Sequence, residues 1–349
     1  MINIAAPVID SEERRAVDEV IESGMLAQGP KVAELEESWA KYCGTKHALA
    51  VNSGTAAIHC ALYAAGVKEG DEVITTPYSF IATINPILML GARPVLVDID
   101  EETFNIDVSK IEAAITEKTK AIVPVDLYGQ PCDWAELQEI AKKHNLKIVE
   151  DACQAIGAEY KGIKTGALGD FGCFSLYATK NIMCGEGGIV TTNSDEASAA
   201  IRSFRQHGMV APYEYADLGY NYRMSDLHGA IAVEQLRKVD RFTAQRQRNA
   251  SLLNEALAGV KGIELPRVAD NRSHVYHQYT ILLDEGISRD EFVAKLREKG
   301  VGAGVYYPKP LHAYPHIAKL GYEAGDFPVA EDLAARVVSL PVHPKVTDE

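Results

Sequence analysis

The feature that most restricts the fold is an alternation. HALAVNS (47–53), DEVITTP (71–77), RPVLVDID (93–100), KAIVPVD (120–126) and LKIVEDA (146–152) are short apolar runs. Each is long enough for a buried strand and too short for a buried helix. Between them, AAIHCALYAAG (56–66), VSKIEAAI (108–115) and WAELQEIAKKHN (134–145) have helical spacing. Strand and helix in turn predict an α/β architecture whose central sheet is mostly parallel and covered by helices. Ligands of such sheets gather beyond the carboxyl ends of the strands. Ser53-Gly54-Thr55, Tyr78-Ser79-Phe80 and Glu150-Asp151-Ala152-Cys153-Gln154 all fall there.

The texture changes near Leu227. Residues 225–257 read as one long helix or two joined ones, HQYTILL (277–283) as a strand, RDEFVAKLREKG (289–300) as a helix, and PVAEDLAARVVSLP (328–341) as a helix ended by Pro341. We place a boundary near residue 240, with a large domain at 1–240 and a smaller C-terminal α/β domain at 241–349. At 349 residues the chain can bury about three quarters of its unfolded surface, so no staple is needed for a core. The six cysteines form no CxxC pair and several lie in apolar runs, which points to buried thiols in a reducing cytoplasm. A net charge of -14 argues against nonspecific binding to nucleic acid or an anionic membrane. No stretch approaches a membrane span, and the N-terminus does not resemble a signal peptide.

Lys180 is the most informative single residue. It lies in FGCFSLYATKNIMCGEGG (171–188), between an apolar strand-like run and a cluster of glycines. A lysine held against a buried pocket loses proton affinity and becomes an amine nucleophile, suited to an aldehyde cofactor. Pyridoxal 5'-phosphate makes three further demands. Its ring nitrogen needs a carboxylate, which Asp151 supplies at a strand end, while Glu150 faces the other side of the strand. Gln154 offers a neutral partner for the ring hydroxyl. The phosphate needs donors, and Gly54 and Thr55 open a helix after a strand, with Ser175 adding a hydroxyl. The ring needs an apolar face, which either Tyr78 or Phe80 offers.

With these residues in order, the chain resembles the DegT/DnrJ/EryC1/StrS family of pyridoxal-phosphate-dependent aminotransferases of fold type I. SGTAA, PYSFIAT, AIVPVDLYG, VEDACQAIGA, GDFGCFSLYATKN, GEGG and GYNYRMSDLHGAIAVEQL carry the resemblance. It implies that Lys180 bonds the cofactor and moves the substrate proton, that Asp151 pairs with the ring nitrogen, and that Gln154 meets the ring hydroxyl. It selects Phe80 as the stacking aromatic. Gly54, Thr55 and Ser175 match phosphate-binding positions, and Asn221 matches an asparagine that reaches the cofactor phosphate of the neighbouring subunit, which implies a homodimer with shared sites. Some relatives carry histidine at the lysine position and dehydrate; retention of Lys180 implies amino transfer. The implied reaction takes the amino group of L-glutamate, leaving 2-oxoglutarate, and gives it to a 3- or 4-keto-deoxyhexose linked to a nucleoside diphosphate. A cyclitol ketone or aminohydroxybenzoate-type synthesis is the enzymatic alternative, and a catalytically silent cofactor-binding regulator the alternative of another class. Asp126 departs from the family, which often has histidine there.

Other signals are weaker. Gly300-Val301-Gly302-Ala303-Gly304 lacks the strand, helix and distal acid of a dinucleotide fingerprint. His274 and His277 lack a third ligand nearby, so no metal site is expected. By resemblance, His277, Tyr306, Tyr307 and His312 are expected near the sugar nucleotide. Arg202, Arg205 and Arg223 either offset substrate phosphates or face solvent.

Overall fold

The computed structural model describes residues 1–347. All five apolar runs form strands: His47–Val51, Glu72–Thr75, Arg93–Leu96, Thr119–Ile122 and Lys147–Asp151. Phe171–Ser175 and Gly188–Thr192 complete a seven-stranded sheet. Its order, by first residue, is 47, 188, 171, 147, 119, 72, 93. Gly188–Thr192 alone runs against its neighbours, and the other contiguous pairs are parallel. The carboxyl ends therefore converge, bringing Ser53, Tyr78, Asp126, Asp151 and Ser175 to one edge of the sheet.

The helix Gly54–Ala64 is apolar nearly all round and packs within a core that includes Leu49, Val73, Val123 and Val190. Its N-cap, Ser53, accepts a hydrogen bond from Ala56 N at 3.1 Å. The helix Pro30–Cys43 is capped from far along the chain. Buried Asp226 accepts from Gly29 N at 2.8 Å, Lys31 N at 3.1 Å and Val32 N at 3.0 Å. A Cβ at position 29 would stand 2.8 Å from an Asp226 oxygen, so this approach requires glycine.

Two expected helices differ. Residues 108–115 form two 3₁₀ turns, Val108–Lys110 and Glu112–Ala114. Ile111 is the anchor between them, and a segment this short with one fully buried side chain lacks the apolar face that holds a longer helix. In 328–341 the helix stops at Arg336, and Val337–Leu340 is a strand. Its β-branched valines pair with Ile281 and Leu282, and Ser339 Oγ meets Thr280 Oγ1 at 2.9 Å.

That strand belongs to a three-stranded antiparallel sheet with Ile263–Glu264 and Tyr279–Leu283. Residues 225–257 are two helices, Asp226–Leu236 and Val239–Leu257. The second starts in the core of the large sheet at Val239 and Phe242 and reaches that of the small sheet at Ala250. Gly302 lies against the N-terminal segment, its N–H donating to Ile2 O at 2.7 Å, so the glycine-rich stretch receives backbone.

Candidate active site

At the carboxyl edge of the large sheet a cavity of about 570 Å³ reaches in toward Asp151 and Lys180. Gly54, Thr55, Phe80, Asp151, Gln154, Ser175 and Lys180 all line it, as do His277, Tyr306 and Tyr307. A larger hollow, of about 1050 Å³, lies near the opposite ends of the strands, around Lys147 and Phe171, and contains none of these residues.

Asp151 ends its strand at 4% exposure. Thr83 Oγ1 donates to one carboxylate oxygen at 2.7 Å and Cys153 N to the other at 3.2 Å. Ser79 Oγ stands 2.8 Å behind Thr83 Oγ1. Two donors fix the carboxylate's orientation. Lys180 is half-buried as a residue, but its ammonium is enclosed by the cavity wall. Burial pushes its pKa down, against the opposing pull of Cys153 and Asp151. Glu150 points to the other side of the strand, where it accepts from Gly166 N at 2.8 Å.

Gln154 is held at both ends of its amide. Its Oε1 accepts from Tyr128 N at 3.0 Å and its Nε2 donates to Tyr307 OH at 3.1 Å. Phe80 is 56% exposed and faces the cavity, with its ring centroid 6.2 Å from that of Tyr307. Tyr78 is fully buried and does not line the cavity. Its hydroxyl donates to Tyr306 O at 3.1 Å and accepts from Tyr307 N at 2.9 Å, so it ties down the cavity wall.

The start of the Gly54–Ala64 helix forms a close cup. A Cβ on Gly54 would come within 2.8 Å of Ser175 Cβ and 3.1 Å of Cys153 Sγ. A Cβ on Gly188 would come within 2.3 Å of Ser53 O. Glycine at both positions lets backbone N–H groups stand beside the Ser175 hydroxyl, which suits an anion. An amine, a fixed carboxylate, a neutral amide, an open aromatic face and an anion cup in one cavity fit pyridoxal 5'-phosphate group by group.

His277 is buried, and Asn181 fixes its tautomer. Asn181 Nδ2 donates to Val275 O at 3.1 Å, which turns Oδ1 toward His277 Nδ1 at 3.2 Å. The imidazole therefore donates from Nδ1, and Nε2 keeps its lone pair. Burial pushes its pKa well down, and the charges of Lys180 and Arg246 press the same way. His274 is turned elsewhere: its Nδ1 accepts from Tyr276 N at 2.9 Å, and burial lowers its pKa to about 3.

Two expected site residues lie outside the cavity wall. His312 is 2% exposed and meets Glu331 at 3.0 Å, packed on Phe327. Asn221 is exposed, and its backbone O accepts from Asn52 Nδ2 at 3.2 Å. Arg205 neither touches the cavity nor faces solvent: at 2% exposure it bonds Glu36 at 2.5 Å and Ala50 O at 2.6 Å, while Arg202 reaches Glu36 at 3.2 Å. Sequence reasoning missed Thr83 and Arg246. Thr83 stands inside the quoted PYSFIAT segment, in a turn after the strand Glu72–Thr75, where its hydroxyl was detectable as a polar group at a strand's carboxyl end. Arg246 sits in a polar helix with no local mark.

The model of the DegT/DnrJ/EryC1/StrS aminotransferase family matches residues 7–349. A pleiotropic regulatory protein of Geobacillus stearothermophilus is 45% identical over 343 residues, which covers 97% of this chain and 91% of that one. GDP-perosamine synthase of Caulobacter vibrioides is 41% identical over 353 residues, 99% of this chain and 94% of that one. Among solved structures, S. venezuelae DesV in complex with a ketimine intermediate is similar with a TM-score of 0.94 at 36% identity, covering 97% of this chain and 91% of that chain.

Proposed function

The chain belongs to the DegT/DnrJ/EryC1/StrS aminotransferase family, and from that membership we propose that it moves the amino group of L-glutamate to a keto-sugar linked to a nucleoside diphosphate. It is an aminotransferase, and its cofactor is pyridoxal 5'-phosphate. The observation that carries the reading is the single cavity that gathers Lys180, Asp151, Gln154, Phe80 and the Gly54–Ser175 cup. GDP-perosamine synthase, a relative named for a nucleotide sugar, supports the substrate class.

When bound, the cofactor supplies an electron sink through which the amino group passes from one substrate to the other. The chain's own residues prepare that chemistry. Asp151, fixed by Thr83 and Cys153 N, holds a negative charge where the ring nitrogen must keep its proton. The N–H groups of Gly54 and Thr55 and the Ser175 hydroxyl would hold the phosphate. Phe80 would cover one ring face, and Gln154 Nε2, which donates to Tyr307 OH, would meet the ring hydroxyl. Lys180 takes a proton at Nζ and returns it, and its lowered pKa favours the neutral amine needed for the first of these steps. Tyr306 and Tyr307 line the cavity wall, where their rings would meet the sugar nucleotide.

The protein works as a homodimer with shared sites. Asn221 is exposed and outside its own chain's cavity, and Val210, Tyr213, Tyr215 and Leu218 form an exposed apolar surface on the same loop region. Spectroscopy on the holoenzyme tests the donor: L-glutamate should bleach the visible cofactor band. A panel of keto-sugar nucleotides, analysed for product mass and amine position, tests the acceptor. Amination of nucleotide-free cyclitols alone would overturn the acceptor class. A band that no amino donor alters would point instead to a silent cofactor-binding protein.

A further inference from the structure

Arg246 is an unexplained cation in the wall of this cavity. It comes from the helix Val239–Leu257, is 5% exposed, and lines the cavity with Lys180 and His277. Its Nη1 donates to Tyr276 O at 3.0 Å. Its Nε is buried with no partner, and among the described residues no carboxylate forms an ion pair with it. A buried guanidinium without a counter-ion is costly, and a buried donor with no bond adds to that cost. Among the described residues its Nη2 makes no bond, and unlike the enclosed Nε it is not sealed off, so it can donate a charged hydrogen bond to a carboxylate.

The neighbouring groups narrow the ligand. His277 is neutral, so it neither competes for an anion nor repels it strongly. The cofactor phosphate has its own cup at Gly54, Thr55 and Ser175, and Asp151 and Glu186 are the acids of the wall. Of the cations lining the cavity, Lys180 is committed to the cofactor, which leaves Arg246 for a second anion arriving at the Lys180 end. We infer that Arg246 receives a carboxylate of the acidic amino donor and of the keto acid it becomes, and so selects a dicarboxylate donor over neutral amino acids. This assignment rests on the glutamate-dependent reading above and adds the residue that enforces it.

Glutarate, a dicarboxylate with no amino group to transfer, is the probe. Its binding to the holoenzyme is measured by calorimetry, with no turnover involved. In Arg246→Gln, which keeps a donor for Tyr276 O, glutarate affinity should fall about tenfold to a hundredfold, the loss of one charged hydrogen bond. The cofactor band and the melting temperature should stay close to wild type. Arg246→Lys, which keeps the charge but cannot hold Tyr276 O and a ligand from two separate nitrogens, should fall between the two. Equal glutarate affinity in wild type and Arg246→Gln overturns the assignment, as does a wild type that does not bind glutarate. Loss of fold in both variants also overturns it, because Arg246 is then a strut for Tyr276 and nothing more. L-glutamate separates the two levels of inference. If it bleaches the band equally well in wild type and Arg246→Gln, only this assignment fails. If it does not bleach the wild-type band, the donor reading fails first.

Discussion

Three side chains decide whether the site works. Lys180→Ala removes the group proposed both to hold the cofactor and to carry the proton, so turnover should fall by about 10³-fold or more while the circular dichroism spectrum stays native. Near-normal turnover in that variant would defeat the proposed role. Asp151→Asn removes the charge that favours a protonated ring nitrogen and should lower kcat strongly with little effect on melting. Thr83 acts through Asp151. Thr83→Val takes away the donor at 2.7 Å and should cost about 1–3 kcal/mol in that carboxylate's setting. The cofactor band should then titrate at a different pH from wild type, a shift that loss of packing alone would not produce. Thr83→Ser, which restores a hydroxyl, should bring the titration back.

At the level of elements, the strand ends were legible because buried parallel strands announce themselves as short apolar runs, and the fold places ligands at their carboxyl ends. Asp151, Gln154 and Ser175 were found that way. Phe80 needed the family resemblance, since two aromatics in one loop look alike until Tyr78 is seen tied to Tyr306 and Tyr307. Val337–Leu340 was misread because one segment carries a helix and a strand with no turn residue between them. Arg205 and Arg246 were illegible for one reason: a long side chain is buried by partners far away in sequence, Glu36 for one and Tyr276 O for the other. The strand 147–151 has a second consequence beneath the site. Glu150 and Asp126 are both buried, and Asp126 Oδ2 has no donor unless Glu150 keeps its proton. Burial pushes Asp126 up to about 6, and burial with the Asp126 charge pushes Glu150 well up. The native state therefore binds more protons than the unfolded chain above the ordinary carboxylate range, so this pair's contribution to stability is lost as pH rises through the native values. Asp126→Asn gives Glu150 an amide donor and removes the contest for a proton. The urea midpoint should fall less between about pH 5 and pH 8 in the variant than in wild type, and identical slopes would rule the shared proton out.

For the whole molecule, the placement of Asn221 is decisive. One chain provides a cavity with an amine, a carboxylate and most of an anion cup, yet leaves the remaining phosphate-binding candidate exposed on a loop beside an apolar surface. If that asparagine serves a neighbour, each site is a composite, and damage in two different chains can be complemented. Lys180→Ala and Asn221→Asp homodimers should both be nearly inactive, the first for want of the amine and the second because a carboxylate repels the phosphate. Unfolded together and refolded as an equal mixture, half of the dimers are hybrids. Each hybrid has one site with both residues intact and one with neither, so about a quarter of wild-type activity should return. Activity no higher than the mean of the two variants would show that Asn221 serves its own chain. A second mixture reports on Arg246, which reaches the cavity of its own chain. Arg246→Gln mixed with Lys180→Ala should restore no site with all three residues, because lysine and arginine travel together. Rescue of L-glutamate turnover in that second mixture would mean the guanidinium crosses between subunits, and the cavity would have to be redrawn around the dimer.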